Sequence, residues 1–203
     1  MKKLLPFLLV TAFAATPVLA HQAGDMILRG GPAIVMPDSS SPDVLATGEL
    51  EVNNNTQLGL TLTYMATDNI GIELLAATPF SHEVSTAGLG KVAEVSHLPP
   101  TLVAQYYFGS AESRLRPYLG MGLNYTIFFD EKGKGALAGT DVSLDNSWGL
   151  AVQGGVDYSI DDSLVLNAAL WWIDIDTEAQ TEVGSFDTQI DPLVFMLSVG
   201  YRY

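Results

Sequence analysis

The sequence has no cysteine and few cations. The absence of cysteine among 203 residues excludes a disulfide scaffold, a thiol nucleophile and any zinc or iron–sulfur site built on cysteine. Nine Lys and Arg residues stand against 23 Asp and Glu, which gives a net charge of −14. That balance argues strongly against a nucleic-acid-binding protein, because such a protein needs a basic face for phosphate.

Long apolar runs are also missing after residue 20, although 48% of the residues are hydrophobic. No stretch there approaches the roughly 18 consecutive apolar residues of a membrane-spanning helix. Charged residues make up only 16% of the chain, whereas an ordinary soluble protein has about a quarter. Only helices and closed barrels satisfy every backbone polar group in lipid. A hydrophobic chain without such a helix therefore points to a β-barrel.

The first twenty residues have the features of a secretory signal peptide. A lysine pair at positions 2 and 3 precedes an apolar stretch, which ends at the small residues Val18 and Ala20. Two prolines near its ends disfavour the alternative of a buried N-terminal helix. We expect residues 1–20 to be cleaved and residues 21–203 to form one outer-membrane domain.

Apolar residues alternate with small or polar ones in eight segments, as in the run from Gln57 to Ala66. Short and long connections alternate between the segments, as do the periplasmic turns and external loops of outer-membrane barrels. The pattern predicts an all-β fold, an eight-stranded antiparallel transmembrane β-barrel; a soluble sandwich is the weaker alternative. The predicted strands span residues 24–37, 52–67, 70–84, 93–108, 114–130, 146–160, 163–178 and 189–203.

Aromatic residues near the predicted strand ends are typical of interfacial girdles. Any one of them is also compatible with ordinary packing, so their collective placement carries the interpretation. They are Tyr64, Tyr106, Phe108, Phe128, Phe129, Trp148, Tyr158, Trp172 and Tyr203.

Strand parity places several charged residues on the inward face near the periplasmic ends. Because charges in a low-dielectric lumen need partners, we expect a salt-bridged plug that closes this end. Unrelated charges at a wet rim are the alternative. The predicted plug consists of Arg29, Glu73, Arg116, Asp157 and Arg202, with Asp25 as a possible sixth member.

The inward residues higher in the barrel are mostly apolar. An apolar pocket with a few polar groups is where an alkyl chain or a small apolar molecule binds, although side chains that simply fill the barrel would look the same. We expect a ligand-binding constriction in the lumen formed by Leu75, Trp171, Met65, Val103 and Met196.

Two consecutive prolines, Pro99 and Pro100, fall inside the fourth predicted strand. Proline donates no ladder hydrogen bond and is avoided in central strands. A barrel has no edge strand, so these prolines predict a local gap that offers an apolar solute a lateral route into the bilayer. A bulge outside the hydrocarbon region, with no role in transport, is the alternative.

Six sequence blocks resemble the outer membrane protein W family, and together they cover nearly the whole chain after residue 20. The resemblance implies an eight-stranded outer-membrane barrel whose hydrophobic lumen passes small hydrophobic molecules, with Leu75 and Trp171 narrowing that lumen. This sequence departs from the family pattern mainly in the predicted loops 38–51, 131–145 and 179–188. The blocks are NNNTQLGLTLTYMATDNIGIELLAATPF (53–80), HLPPTL (97–102), RPYLGMGLNYTIFFD (116–130), SWG with GVDY (147–158), WWIDIDT (171–177) and DPLVFMLSVGYRY (191–203).

The predicted function is a narrow hydrophobic channel in the bacterial outer membrane. One alternative is a structural or surface-recognition barrel without transport. A weaker one is a lipid-modifying enzyme using Ser96 and His97, but adjacent strand residues point to opposite faces and do not easily form a nucleophile–base pair. We therefore expect no enzymatic activity.

The expected partners are small hydrophobic molecules, lipid or detergent, and the lipids of the outer membrane. The last residue, Tyr203, keeps an aromatic side chain where the family resemblance implies phenylalanine for recognition by the barrel-assembly machinery. No cofactor and no metal site are expected. Acidic segments such as 174–176 offer oxygen ligands for divalent cations, but solvated acidic loops are the simpler interpretation.

Overall fold

The structure is a computed structural model that describes residues 21–39, 41, 48–181 and 184–203. The predicted signal peptide, residues 1–20, lies outside the described residues. Parts of the predicted loops 38–51 and 179–188 lie outside them as well.

Fourteen strands and one short 3-10 helix are present in the described part of the chain. The strands are β1 (Met26–Met36), β2 (Glu51–Val52), β3 (Asn55–Met65), β4 (Ile70–Ala77), β5 (Phe80–Thr86), β6 (Gly90–Leu98), β7 (Thr101–Tyr107), β8 (Leu115–Gly133), β9 (Val142–Leu144), β10 (Ser147–Ser159), β11 (Leu164–Ile173), β12 (Asp176–Thr181), β13 (Gly184–Gln189) and β14 (Leu193–Arg202). The 3-10 helix is Gly135–Leu137.

Eight of these strands form a closed antiparallel barrel in the order β1, β3, β4, β7, β8, β10, β11 and β14. The barrel closes where β14 pairs with β1, for example Val199 opposite Gly30. The prediction of an eight-stranded antiparallel barrel is confirmed. No helix among the residues 21–39, 41, 48–181 and 184–203 is long and apolar enough to span a membrane.

The predicted alternation of the barrel strands is also confirmed. In β3 the side chains of Leu58, Leu60 and Leu62 are exposed on the outside, whereas Thr61 and Thr63 are buried inside. The exposed large apolar side chains of all eight barrel strands together form the apolar belt that faces lipid.

One aromatic residue does not fit the predicted girdle. Phe128 is only 8% exposed, because its position in β8 has inward parity next to the outward Ile127 and the half-buried Phe129. It packs against His97 at 5.8 Å between ring centroids.

Two predicted strands are each divided in two: 70–84 into β4 and β5, and 93–108 into β6 and β7, because prolines interrupt them at 79 and at 99–100. β5 pairs with β6, and β6 pairs with the outer part of β8, which extends the barrel wall beyond the apolar belt. β9, β12 and β13 form a separate three-stranded sheet. The sheet lies mostly within the predicted loops 131–145 and 179–188, although β12 begins inside the predicted strand 163–178. We call the end of the barrel that carries these additions the outer end, and the end with the short turns the inner end.

The barrel lumen is filled at the positions of its inward glycines, so these residues do not leave open space. A Cβ built on Gly155 would overlap the phenol ring of Tyr118. The Tyr118 hydroxyl accepts hydrogen bonds from Asn167 at 2.9 Å and from Gln153 at 3.4 Å. Glycine at position 155 therefore lets the buried Tyr118 side chain of β8 lie across the inner face of β10 and reach polar partners on β10 and β11.

We expect Gly155→Ala to lower the free energy of unfolding by about 1–3 kcal/mol, because the added methyl group displaces Tyr118 from a packed interior. The matched control is Gly154→Ala, whose Cβ would meet only the Leu119 Cδ2 at 3.5 Å. This variant should be neutral or slightly stabilising. Urea unfolding in phospholipid vesicles measures both, and equal stability of the two variants would contradict the packing argument.

Candidate transport site

Arg29, on β1, is the centre of a buried polar network in the inner half of the barrel. Its Nη1 donates to Thr63 Oγ1 at 2.6 Å and forms an ion pair with Glu73 Oε2 at 3.2 Å. Its Nη2 contacts the Asp157 carboxylate and donates to the Tyr107 hydroxyl at 3.1 Å. All five side chains are buried. The guanidinium thus joins four strands other than its own and compensates two buried carboxylates at once.

Amide side chains donate further hydrogen bonds to the carboxylates of Glu73 and Asp157. Gln153 Nε2 donates to Glu73 Oε1 at 2.8 Å, and Asn167 Nδ2 donates to Asp157 Oδ1 at 2.7 Å. His21 Nε2 lies 2.7 Å from Asp157 Oδ2. Buried carboxylates need several such donors to offset their lost hydration. We call Arg29, Thr63, Glu73, Tyr107, Gln153, Asp157 and Asn167 together the Arg29 network.

The other two predicted plug residues bind backbone at the inner rim. Arg116 donates to the carbonyl oxygens of His21 at 3.2 Å and Asp68 at 2.8 Å. Arg202 donates through Nε to the carbonyl oxygen of Asp162 at 2.9 Å and lies 3.7 Å from Asp25 Oδ2. The structure therefore brings Arg29, Glu73 and Asp157 into direct contact and places the two other arginines below them.

The five residues predicted to form the lumen constriction are all buried, each at most 4% exposed, but only four of them lie at mid-barrel. The prediction is wrong for Met65, which is the last residue of β3 and lies two residues nearer the inner turn than Thr63. Leu75, Val103, Trp171 and Met196 belong to the hydrophobic core cluster, at the level of Glu73 and Gln153 or nearer the outer end. Val103 is paired with Glu73, and Trp171 with Gln153. The indole Nε1 of Trp171 has no hydrogen-bond partner. We call the four mid-barrel residues the lumen floor: Leu75, Val103, Trp171 and Met196.

An apolar cavity, the outer cavity, lies at the outer end of the barrel. Its volume is about 100 Å³, several times the ~10–15 Å³ that one water requires on the same measure. Fourteen of its nineteen described lining residues are apolar, and none of the nineteen is Asp, Glu, Lys or Arg. Its walls come from β2, β5, β6, β8, β9, β12 and β13, including Val52, Val84, Val95, Phe128, Leu144 and Phe186.

Two histidines, His82 and His97, stand in this apolar lining. Burial, and to a smaller degree the neighbouring His82, lowers the pKa of His97 to about 3. Burial also lowers the pKa of His82, and its hydrogen bond to Asn53 opposes that effect. Both rings lie in β5 and β6, beyond the apolar belt, and both are neutral at pH 7.

The hydrogen-bond ladder is interrupted beside the outer cavity. Pairing of β4 with β7 ends at Leu75 opposite Thr101, and pairing of β5 with β6 resumes only at Phe80 opposite His97. The consecutive prolines 99 and 100, between β6 and β7, lie in this interval. Pro79, between β4 and β5, lies on the opposite side of it. We call the interval, residues 76–79 and 98–100, the ladder break.

The wall on the other side of the ladder break is held largely by side chains. β3 pairs with β4 as far as Gly59 opposite Ala77, and the Thr78 N–H donates one further backbone hydrogen bond to the Leu58 carbonyl oxygen at 3.0 Å, but β3 does not pair with β5. Asn55 Nδ2 instead donates to the carbonyl oxygen of Ser81 at 2.7 Å. Backbone pairing resumes with β2, where Val52 lies opposite Val84.

Sequence reasoning missed the outer cavity, Pro79 and the histidine pair as members of one site. Pro79 is a single proline between two segments of regular alternation, and β9, β12 and β13 are too short to be distinguished from acidic loops. The signal for the histidines was present, since His82 and His97 have the parity of residues that face the same side of a hairpin.

One acidic cluster is present among the described residues. Carboxylate oxygens of Asp174, Asp176 and Asp191 lie within 4.8 Å of one another. Asp191 Oδ1 already accepts a hydrogen bond from the backbone N–H of Ile175 at 3.1 Å, and the side chain of Asp176 is exposed. Such oxygens are hard ligands that suit calcium or magnesium.

Comparison with known proteins matches nearly the whole described chain. The model of the OmpW family matches residues 22–203. Outer membrane protein W of Vibrio cholerae serotype O1 is 54% identical over 96% of this chain and 95% of its own length. Outer membrane protein W of Escherichia coli K12 is 50% identical over the full length of both chains.

A solved structure shows the same architecture. The crystal structure of the outer membrane protein OprG from Pseudomonas aeruginosa superposes with a TM-score of 0.83 at 43% identity, covering 92% of this chain and 99% of that one. With such relatives and a closed barrel bearing an outer apolar belt, the protein resides in the bacterial outer membrane. The chain belongs to the OmpW family of outer-membrane β-barrel proteins.

Proposed function

We propose that the protein conducts small hydrophobic molecules from the cell surface into the outer membrane. The solute enters the outer cavity, contacts the lumen floor and leaves sideways through the ladder break. The observation that carries this proposal is the position of an uncharged, largely apolar cavity directly beside a break in the barrel wall. His97 lines the cavity and is two residues from Pro99.

The Arg29 network supports the lateral direction of release. An apolar solute that continued along the barrel axis would have to displace the contacts of Arg29 with Glu73 and Asp157. Leaving a buried charge without its partner costs about 3–5 kcal/mol. An apolar solute offers these groups no hydrogen bond in return, so the path below the lumen floor is closed to it.

The ladder break supplies a path of lower cost. Prolines 79, 99 and 100 have no N–H, so they donate no hydrogen bond across the break that would have to be broken when it widens. The Pro99 carbonyl accepts a hydrogen bond from Thr101 Oγ1 at 2.9 Å, and the Pro100 carbonyl from the Tyr125 N–H at 3.0 Å. The break can therefore widen toward lipid without leaving these two carbonyls unpaired.

We expect the triple variant Pro79→Ala, Pro99→Ala and Pro100→Ala to slow uptake of an apolar solute by at least about fivefold. Each restored N–H donor can extend the ladder across the break, and one backbone hydrogen bond contributes about 1 kcal/mol. The measurement is the rate of fluorescence increase when N-phenyl-1-naphthylamine is added to cells with equal amounts of folded barrel.

The control for this variant is Pro117→Ala. Pro117 lies on the exposed side of β8, paired with Val156 and away from the ladder break, so this change should leave uptake as in the wild type. Unchanged uptake in the triple variant would contradict lateral release, whereas equal uptake by cells with and without the protein would contradict transport itself.

The role proposed for the plug residues is to close the inner end to ions. We expect Arg116→Ala to raise single-channel conductance in planar bilayers several-fold, because it removes the contacts that hold His21 and Asp68 across the inner opening. Arg114→Ala, two residues away on the exposed surface, should leave conductance low. Conductance that stays at the wild-type level in Arg116→Ala would show that the rim contacts do not seal the barrel.

A further inference from the structure

His82 and His97 form a stacked pair in the wall of the outer cavity. Their ring centroids are 5.0 Å apart and their planes differ by 8°. The two residues are 3% and 5% exposed. Phe80 stacks on the pair, with its ring centroid 5.6 Å from that of His97. The rings are therefore fixed in place, and they are the only rings bearing nitrogen among the described lining residues of the cavity.

The hydrogen bonding of His82 determines which of its nitrogens carries the proton. Nδ1 lies 2.6 Å from the backbone carbonyl oxygen of Asn53. A carbonyl oxygen only accepts, so Nδ1 must be the donor, and in the neutral ring Nε2 is then a bare acceptor. His82 Nε2 is buried and has no hydrogen-bond partner, and the same is true of His97 Nε2.

A buried acceptor without a partner destabilises the empty site and favours a ligand that brings a donor. The other residues that line the outer cavity determine which kind of hydrogen-bond donor fits. The described lining contains no cation that would hold an anionic ligand, and no carboxylate that would hold an ammonium group. A neutral O–H group on an otherwise apolar molecule satisfies these conditions, because it brings a hydrogen without bringing a charge.

We infer that the outer cavity preferentially binds aliphatic alcohols, with the ligand hydroxyl donating its hydrogen bond to His82 Nε2. The alcohol oxygen remains free to accept from His97 Nε2 when that nitrogen carries the ring proton. The alkyl chain of the ligand occupies the part of the outer cavity that is lined by Val84, Val95 and Phe128. This inference rests on the proposed function, since it specifies which hydrophobic molecules the conduit prefers.

The test compares three probes of nearly equal shape: 1-octanol, 1-fluorooctane and octanoate at pH 8. The full barrel is reconstituted in phospholipid nanodiscs, and each probe displaces N-phenyl-1-naphthylamine, with free concentrations corrected against protein-free nanodiscs. For the wild type we expect 1-octanol to bind about three- to tenfold more tightly than 1-fluorooctane, the range for one hydrogen bond. Octanoate should bind no more tightly than 1-fluorooctane.

Two variants locate the preference. In His82→Phe the advantage of 1-octanol over 1-fluorooctane should disappear, while binding of 1-fluorooctane is retained. The packing control is Val95→Ala, in the same cavity wall, which should change both affinities in parallel and keep their ratio. Heat-modifiable migration on gels verifies that each variant is folded. In ¹⁵N NMR, the His82 Nε2 signal should shift with 1-octanol and stay unchanged with 1-fluorooctane.

The outcomes separate this inference from the proposed function. Equal affinities for the three probes in the wild type, or an alcohol advantage that persists in His82→Phe, overturn the alcohol preference and leave a conduit for apolar solutes. Tightest binding of octanoate also overturns it, in favour of an anion site. If no probe displaces the fluorophore from the wild type, the proposed function fails together with the inference.

Discussion

The hydrogen-bond ladder of the barrel wall is the constraint on which the rest of the structure depends. In hydrocarbon no water is available for backbone N–H and C=O groups, so each group must find its partner within the protein. Closure of the ring by β14 and β1 meets this requirement. Once the register is fixed, every second side chain must point into the lumen. The ladder therefore decides both what lipid contacts and what the interior has to accommodate.

The inward-pointing side chains are accommodated differently at the two ends of the barrel. Near the inner end Arg29 is compensated by two carboxylates, and an inward glycine admits Tyr118, so this half is solid and polar. Toward the outer end the wall continues as β5, β6 and the end of β8, which no longer border lipid and enclose an apolar cavity. The lumen floor, exemplified by Trp171, separates the two regions. In the proposed function, a solid inner half and a hollow outer half leave a solute admitted from outside without an axial exit.

The features that follow from period-two alternation could be predicted from the sequence, and those that depend on contacts between distant segments could not. The eight barrel strands and the inward positions of Arg29, Glu73 and Asp157 follow from parity alone. The outer cavity does not, because its walls include β9 and β12, which acquire their apolar neighbours only after the barrel brings them together. Likewise Pro99 predicted a gap, but only the pairing register shows that Pro79 faces it and that the break therefore affects the strands on both sides.

A break in the wall is stable only where other groups hydrogen-bond to the backbone N–H and C=O groups that the ladder leaves unpaired. Here Asn55 binds the carbonyl oxygen of Ser81, and Thr101 binds that of Pro99. The break lies next to Leu58 and Leu102, which belong to the outermost exposed apolar residues of their strands. A solute that passes between the strands at this level meets acyl chains, while the polar groups beyond it remain close to the headgroups. The same placement that keeps the wall stable thus suits the lateral release that we propose for an apolar molecule.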